Sequence, residues 1–166
     1  MQAGTILSGA PIWAYVLLIV LIVLGVRRLK TREVPVAVAL IPVVAFLVWS
    51  IFGASSFAAS AGAATSAIAW FGGAALGGVS AFVLPEPRVT RLPDGRVILP
   101  GSWMPLILYM SVFVARFACG AWAAMDPAQA VTANAIGVAI SAAMTARLAT
   151  WVLRWGSLIK SVDDRA

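Results

Sequence analysis

The sequence lacks histidine entirely and contains a single cysteine, Cys119. Without histidine the chain cannot form His-ligated haem, Cys/His zinc sites or His-based acid–base catalysis. Only six residues are acidic, and none of them lies in a long apolar run. No carboxylate pair, nucleophile–base arrangement or phosphate loop can be assembled from the remaining residues. We therefore expect a protein that is not an enzyme and has no cofactor and no metal site.

Charge is also scarce, whereas apolar residues are abundant. Charged residues make up 11% of the chain, hydrophobic residues make up 62%, and the mean hydropathy is +0.99. Soluble domains have an apolar content nearer 45–50%. A soluble fold could not bury this much apolar surface, so the composition predicts an integral membrane protein.

Five long apolar runs predict an all-α fold with five transmembrane helices in one transmembrane domain, residues 1–166. A short turn, Gly53 to Ser56, is expected between the second and third spans. No charge precedes the first run, which indicates a retained helix rather than a cleaved signal peptide. The predicted spans are 10–27, 35–53, 57–84, 103–125 and 130–153.

The net charge of +6 comes from basic residues in short segments that flank the apolar runs. With the N-terminus outside and the C-terminus cytoplasmic, ten of the twelve basic residues fall on the inner side, as the positive-inside rule requires. This placement favours membrane lipids rather than nucleic acid as the partner. The predicted contacts to lipid headgroups are Arg27, Arg28, Lys30, Arg32, Arg88, Arg91 and Arg96.

The polar segment 85–101 predicts a short cytoplasmic β-hairpin between the third and fourth spans. Residues 89–92 and 96–99 are prone to form strands, and the Pro-Asp-Gly sequence at 93–95 is typical of the turn between them. In the third span, Gly73 and Gly77 form a GxxxG pattern that favours close helix packing. We favour packing within the chain over homodimerisation.

Arg116 lies near the middle of the fourth apolar run, where a charged side chain costs at least about 2.5–3.5 kcal/mol to insert. Polar side chains of the fifth span could accept its hydrogen bonds, and these are Asn134, Ser141 and Thr145. Three interpretations stay open: a structural contact to these groups, the binding of an anionic ligand by Arg116 together with these groups, and snorkelling of Arg116 on a lipid-facing surface. Arg147 in the fifth span is a weaker candidate for ligand binding, because it lies nearer an interface and is expected to snorkel.

Three features together resemble a family of small bacterial inner-membrane proteins of unknown function. They are the basic turn at 27–30, the stretch 99–106 with its Pro-Gly-Ser-Trp core, and Arg116 followed by Phe117 and Gly120. The resemblance implies a multi-span protein of the bacterial inner membrane and no known activity.

The sequence thus leads to two functional hypotheses. The first is a non-enzymatic membrane protein that binds an anionic lipid or a partner membrane subunit, such as a second copy of the chain, through Arg116. The alternative is a small anion or solute transporter or channel with Arg116 in its pathway.

Overall fold

The computed structural model describes residues 12–84, 89–92, 94 and 96–163. The described chain contains five helices, a short 3₁₀ turn at Pro127–Gln129 and three short strands. The helices are α1 (Ile12–Arg27), α2 (Val36–Ala61), α3 (Ala63–Val83), α4 (Met104–Met125) and α5 (Ala130–Asp163). The strands are β1 (Arg32–Pro35), β2 (Thr90–Arg91) and β3 (Arg96–Leu99).

Four helical segments are long and apolar enough to cross a membrane. They are α2, α3, α4 and the segment Pro127–Arg154, which joins the 3₁₀ turn to most of α5. The predicted helical, multi-pass architecture is therefore confirmed. The predicted first span begins at residues 10 and 11, which lie outside the described residues, and α1 as described has 16 residues.

The predicted turn at 53–56 is wrong, because α2 continues through it to Ala61. The hydroxyls of Ser55 and Ser56 both donate to the Phe52 carbonyl oxygen at 2.9 Å. These bonds satisfy the hydroxyls within their own helix, so a polar sequence stays helical. The chain instead breaks at Gly62, whose φ of 90° is accessible to glycine at little cost.

The predicted hairpin is present, and it belongs to a larger sheet than expected. β2 and β3 pair antiparallel, and β1 from the basic turn pairs antiparallel with the other edge of β3. Pro35 ends β1, an edge strand, where a missing N–H is tolerated. Residues 85–88, Pro93 and Gly95 of the predicted hairpin segment lie outside the described residues.

The sheet buries one apolar face against the helices. Val34, Val97 and Leu99 pack with Ala39 of α2, and Trp151 of α5 covers this cluster. We refer to this end of the helix bundle as the sheet end. Because β1 precedes α2 and β3 follows α3, their pairing requires α2 and α3 to run out from the sheet end and back.

The helices pack around α5, which contacts α3 most extensively and also contacts α4 and α2. Gly73 and Gly77 of α3 are buried at the crossing with α5. A Cβ at either glycine would collide with the backbone of Ala139 or Ala143, so the close approach of the two helices requires glycine. α2 and α3 are joined by hydrogen bonds from Trp70 Nε1 to Ser50 Oγ (2.9 Å) and from Ser66 Oγ to the Ala54 carbonyl (2.7 Å).

Candidate functional site

The Arg116 side chain leaves α4 and lies against glycines of two neighbouring helices. A Cβ on Gly137 of α5 would overlap its Nη1 atom, and a Cβ on Gly53 of α2 would lie 3.6 Å from its Nη2 atom. The guanidinium thus occupies the space that a side chain at Gly137 would otherwise fill, and it lies within van der Waals distance of a Cβ at Gly53. It is only partly buried, so part of it faces the surroundings of the bundle.

The three polar groups predicted to contact Arg116 have other roles. Ser141 Oγ donates to the Gly137 carbonyl oxygen at 3.2 Å. Thr145 Oγ1 lies 2.9 Å from the Ser141 carbonyl oxygen and 3.1 Å from that of Phe46. Asn134 is exposed on the surface of α5. Within the described residues, no hydrogen bond or ion pair reaches Arg116, so the expected structural contact to these groups is absent there.

Arg147 is buried, with 3% of its surface exposed, so the expectation that it snorkels is wrong. Its Nη1 atom donates to the Ser80 carbonyl oxygen at 2.7 Å and lies 3.3 Å from Ser80 Oγ. About two turns further along α5, Arg154 Nη1 donates to the Ala81 carbonyl oxygen at 2.8 Å, and its guanidinium lies over the Phe82 ring. Both arginines thus bind the C-terminal turn of α3, where the helix dipole favours positive charge.

Arg116 and Arg147 do not form one site. Arg116 contacts α5 at Gly137, which lies ten residues, or about 15 Å along the helix, from Arg147. The two predicted ligand-binding arginines therefore belong to different levels of the bundle.

A cavity of about 50 Å³ lies at the sheet end, between α2, α4, α5 and the segment that follows β3. We call it the sheet-end cavity. Arg28 and Arg147 both line it, and the rest of its wall is mainly apolar. Among the described residues, none of those that line the cavity is acidic. Other residues in its wall include Pro42, Leu99, Tyr109 and Trp151.

The turn that carries Arg28 is held in place by the Pro-Gly-Ser stretch after β3. The Ser102 N–H donates to the Arg28 carbonyl oxygen at 2.9 Å, and the Gly101 N–H donates to Thr31 Oγ1 at 3.0 Å. A Cβ at Gly101 would collide with the Leu29 carbonyl oxygen, so this contact requires glycine. Two of the sequence features singled out above therefore meet directly in the structure.

Arg28 is half-buried, and both its burial and the neighbouring groups affect its pKa. Burial lowers the pKa of its guanidinium, the nearby Tyr109 side chain raises that pKa, and the positive charge of Arg32 lowers it again. Sequence reasoning grouped Arg28 with surface headgroup contacts, because nothing in the local pattern distinguishes it from its neighbour Arg27.

The other predicted headgroup contacts are more dispersed. Arg27 and Lys30 are exposed, and Arg32 is half-buried in β1. Arg96 forms an exposed ion pair with Glu33 at 3.4 Å, which joins β3 to β1. Arg88 and the side chain of Arg91 lie outside the described residues.

Comparison with known proteins places the chain in a family. Neither the curated proteins nor the solved structures contain a match. The profile of a family of unknown function, DUF6622, matches residues 2–166. This match spans nearly the whole chain, including the basic turn, the Pro-Gly-Ser-Trp stretch and Arg116. The protein therefore belongs to the DUF6622 family of unknown function.

Proposed function

We propose that this is a non-enzymatic, multi-pass protein of the bacterial inner membrane that binds a partner membrane subunit through Arg116. The observation that carries the proposal is the position of the Arg116 guanidinium. It lies over Gly137 and beside Gly53, partly exposed, with no hydrogen bond or ion pair to it within the described residues. A charge in this setting is strongly stabilised by an acceptor supplied from outside the chain.

The depth of Arg116 favours a protein partner over a lipid headgroup. Arg116 lies within about 2 Å of the midpoint of α4, given a rise of about 1.5 Å per residue. Its side chain leans toward the N-terminus of α4, away from the nearer end of the helix. A lipid phosphate lies beyond the hydrocarbon core, whose half-thickness is about 15 Å. A carboxylate, amide or hydroxyl carried by a second transmembrane helix reaches this depth without deforming the bilayer. That helix belongs either to another protein or to a second copy of this chain.

The proposal includes five spans, with the N-terminus outside and the sheet end in the cytoplasm. The pairing of β1 with β3 supports it, since the basic turn and the basic hairpin then lie on one side of the membrane. The contact of Arg154 with Ala81 supports it further, because the end of α5 reaches the same side. Collecting the basic segments on one side is what the positive-inside rule describes for the cytoplasmic face.

Native mass spectrometry of the full chain, purified in mild detergent from its membrane, tests this function. We expect the wild-type protein to retain a protein partner and Arg116→Gln to lose it by about tenfold or more, as for a lost buried charge pair. Arg27→Gln is the matched control, because Arg27 is an exposed arginine of the same chain. Equal retention by all three proteins overturns the proposal. Arg116-dependent retention of lipid alone would assign the acceptor to an anionic lipid instead.

The alternative, transport of a small anion or solute past Arg116, is testable through Cys119. This cysteine is the only one in the chain and lies three residues after Arg116, close to its side chain on the same helix. A water-filled pathway at Arg116 would expose the thiol to a membrane-impermeant thiol reagent in proteoliposomes. We expect no modification of Cys119 and no anion flux; modification together with flux that Arg116→Gln abolishes would favour the transporter.

A further inference from the structure

We propose that the sheet-end cavity is a binding site for a phosphate group, carried by a lipid headgroup or free in solution. This site is separate from Arg116, which does not line the cavity. The inference therefore stands independently of the partner-binding function proposed above.

The charges of the cavity point to an anion. Two arginines, Arg28 and Arg147, line one small space whose described lining contains no acidic residue. Like charges that share a poorly solvated space repel one another, and an anion between them converts that repulsion into attraction. Arg32 adds a third positive charge near Arg28, which is one reason for the lowered pKa of Arg28.

The arginines are built into the protein rather than displayed on its surface. Arg147 is 3% exposed, and its contacts with Ser80 of α3 hold the side chain in place. Arg28 is fixed through its backbone, since Ser102 donates to its carbonyl oxygen. The held side chain of Arg147 and the fixed backbone of Arg28 reduce the entropy that is lost when an anion binds.

The shape and size of the cavity favour phosphate. A volume of about 50 Å³ corresponds to about three to five water molecules, which is enough for one compact oxyanion. Phosphate offers oxygens in several directions, so the planar guanidinium groups of a turn arginine and a helix arginine can each bind it. Tyr109, which is buried and stacks on Phe46 at 5.7 Å, brings a phenol group to the same wall.

The two arginines of the cavity differ in exposure. Arg28, in the turn after α1, is half-buried, whereas Arg147 is buried, so we expect a ligand to reach the cavity from the side of Arg28. The remaining wall is largely apolar, with Val43, Leu108, Met144, Leu148 and Trp151. A lipid phosphate, which is attached to an apolar molecule, can therefore contact the apolar wall as well as the arginines. A free phosphate can contact only the polar groups of the cavity.

The experiment titrates the purified full chain in mild detergent with phosphatidylglycerol, phosphatidylcholine or inorganic phosphate, and native mass spectrometry measures the bound fraction. Arg28→Gln is the test variant. Arg27→Gln is its matched control, because Arg27 is the adjacent, exposed arginine and does not line the cavity. We expect Arg28→Gln to weaken phosphate-ligand binding by about tenfold or more, and Arg27→Gln to change it by less than about twofold.

The outcomes separate the two sources of phosphate. Binding of phosphatidylglycerol that depends on Arg28 and resists millimolar inorganic phosphate assigns the site to a lipid headgroup. Binding of inorganic phosphate that depends on Arg28, with displacement of the lipid, assigns it to a free phosphate. If the Arg147→Gln variant folds, its phosphate binding is a second test of the cavity. If that variant does not fold, the result for Arg28→Gln decides whether phosphate binds at the cavity.

Two results overturn the proposal. One is that no probe binds the wild-type chain. The other is that Arg27→Gln and Arg28→Gln weaken binding equally, which indicates only general attraction of the basic surface for anions. Arg116→Gln should leave binding at the cavity unchanged, so a failure here is distinguishable from a failure of the proposed partner binding.

Discussion

Gly137 of α5 lies directly against the guanidinium of Arg116 of α4, and the absence of a side chain at Gly137 creates the space that the arginine occupies. A charged residue near the middle of a membrane helix is thereby matched with a glycine on a neighbouring helix. Gly53 of α2 completes the arrangement on the other side. The position of Arg116 is thus set by packing, and no hydrogen bond to its guanidinium is present within the described residues.

This relationship predicts the effect of Gly137→Ala. The added methyl group collides with Arg116 Nη1, so the arginine must move or the helices must separate. Because Nη1 is the far end of a flexible side chain, we expect a cost of about 1 kcal/mol of folding free energy, the low end of overpacking. Thermal unfolding in detergent measures it. Gly120→Ala on α4 is the control, because a Cβ there meets nothing within 4 Å.

A double-mutant cycle identifies Arg116 as the cause. Combined with Arg116→Ala, which removes the colliding atoms, Gly137→Ala should lose most of its destabilising effect. If the two substitutions are instead additive, the destabilisation comes from elsewhere in α5 and the assigned contact is incorrect.

Gly77→Ala should be more disruptive, because its methyl group would meet the backbone of Ala143 rather than the end of a side chain. A backbone cannot rotate away, so the α3–α5 crossing must widen, with a loss of about 3 kcal/mol or more, at or beyond the upper end of overpacking costs. Thermal unfolding is again the measurement. Gly72→Ala on the same helix is the matched control, since its Cβ would have no neighbour within 4 Å.

The same pair of variants tests the expectation that the GxxxG pattern serves packing within the chain. Gly77→Ala should lower the stability of the isolated protein without a change in oligomeric state at matched concentration. A dimer that dissociates while the unfolding temperature of the monomer stays constant would show that the glycines form an interface between copies.

The proposed orientation predicts which residues are accessible from each side of the membrane. In a Cys119→Ser background, Lys30→Cys and Asp94→Cys should both react with an impermeant thiol reagent from the cytoplasmic side. They belong to the exposed segments around β1 and the β2–β3 turn, which the sheet joins. Asp126→Cys, at the far end of α4, should react only from the opposite side.

Inside-out and right-side-out vesicles supply the two sides for this measurement. Reaction of Lys30→Cys and Asp94→Cys from different sides would contradict the β1–β3 pairing itself. Reaction of both from the outer side would keep the fold and reverse the orientation.

Much of the fold follows from local chemistry. Four of the described helical segments are long and apolar enough to cross the hydrocarbon core, and hydrogen bonds within a helix satisfy the backbone polar groups there. The β2–β3 hairpin likewise follows from strand-prone residues around a Pro-Asp-Gly turn. These features depend on residues close together in the chain, which is why the sequence predicts them.

Features that depend on neighbours from distant segments were not predictable. The end of α2 is an exception, because its cause is local: Ser55 and Ser56 donate to the Phe52 carbonyl oxygen within the helix, and the break lies at Gly62. β1 carries no strong strand signal of its own and forms because the exposed edge of β3 pairs with it. From the sequence, Arg147 is expected to snorkel. In the structure it donates a hydrogen bond to the Ser80 carbonyl oxygen at the end of α3 instead.

The run from Trp103 to Met125 shows the same division between local and distant information. Its composition alone places Arg116 near the middle of a transmembrane helix, because the length and apolarity of a run determine whether lipid or water surrounds it. The glycines that receive Arg116 lie 63 residues before it and 21 residues after it, at 53 and 137. Likewise, Arg28 and Arg147 meet at one cavity only because the helices between them reverse direction. Contacts between such distant residues are set by helix packing. Packing depends on the combined shape of several helix surfaces and leaves no periodic signal in any single segment.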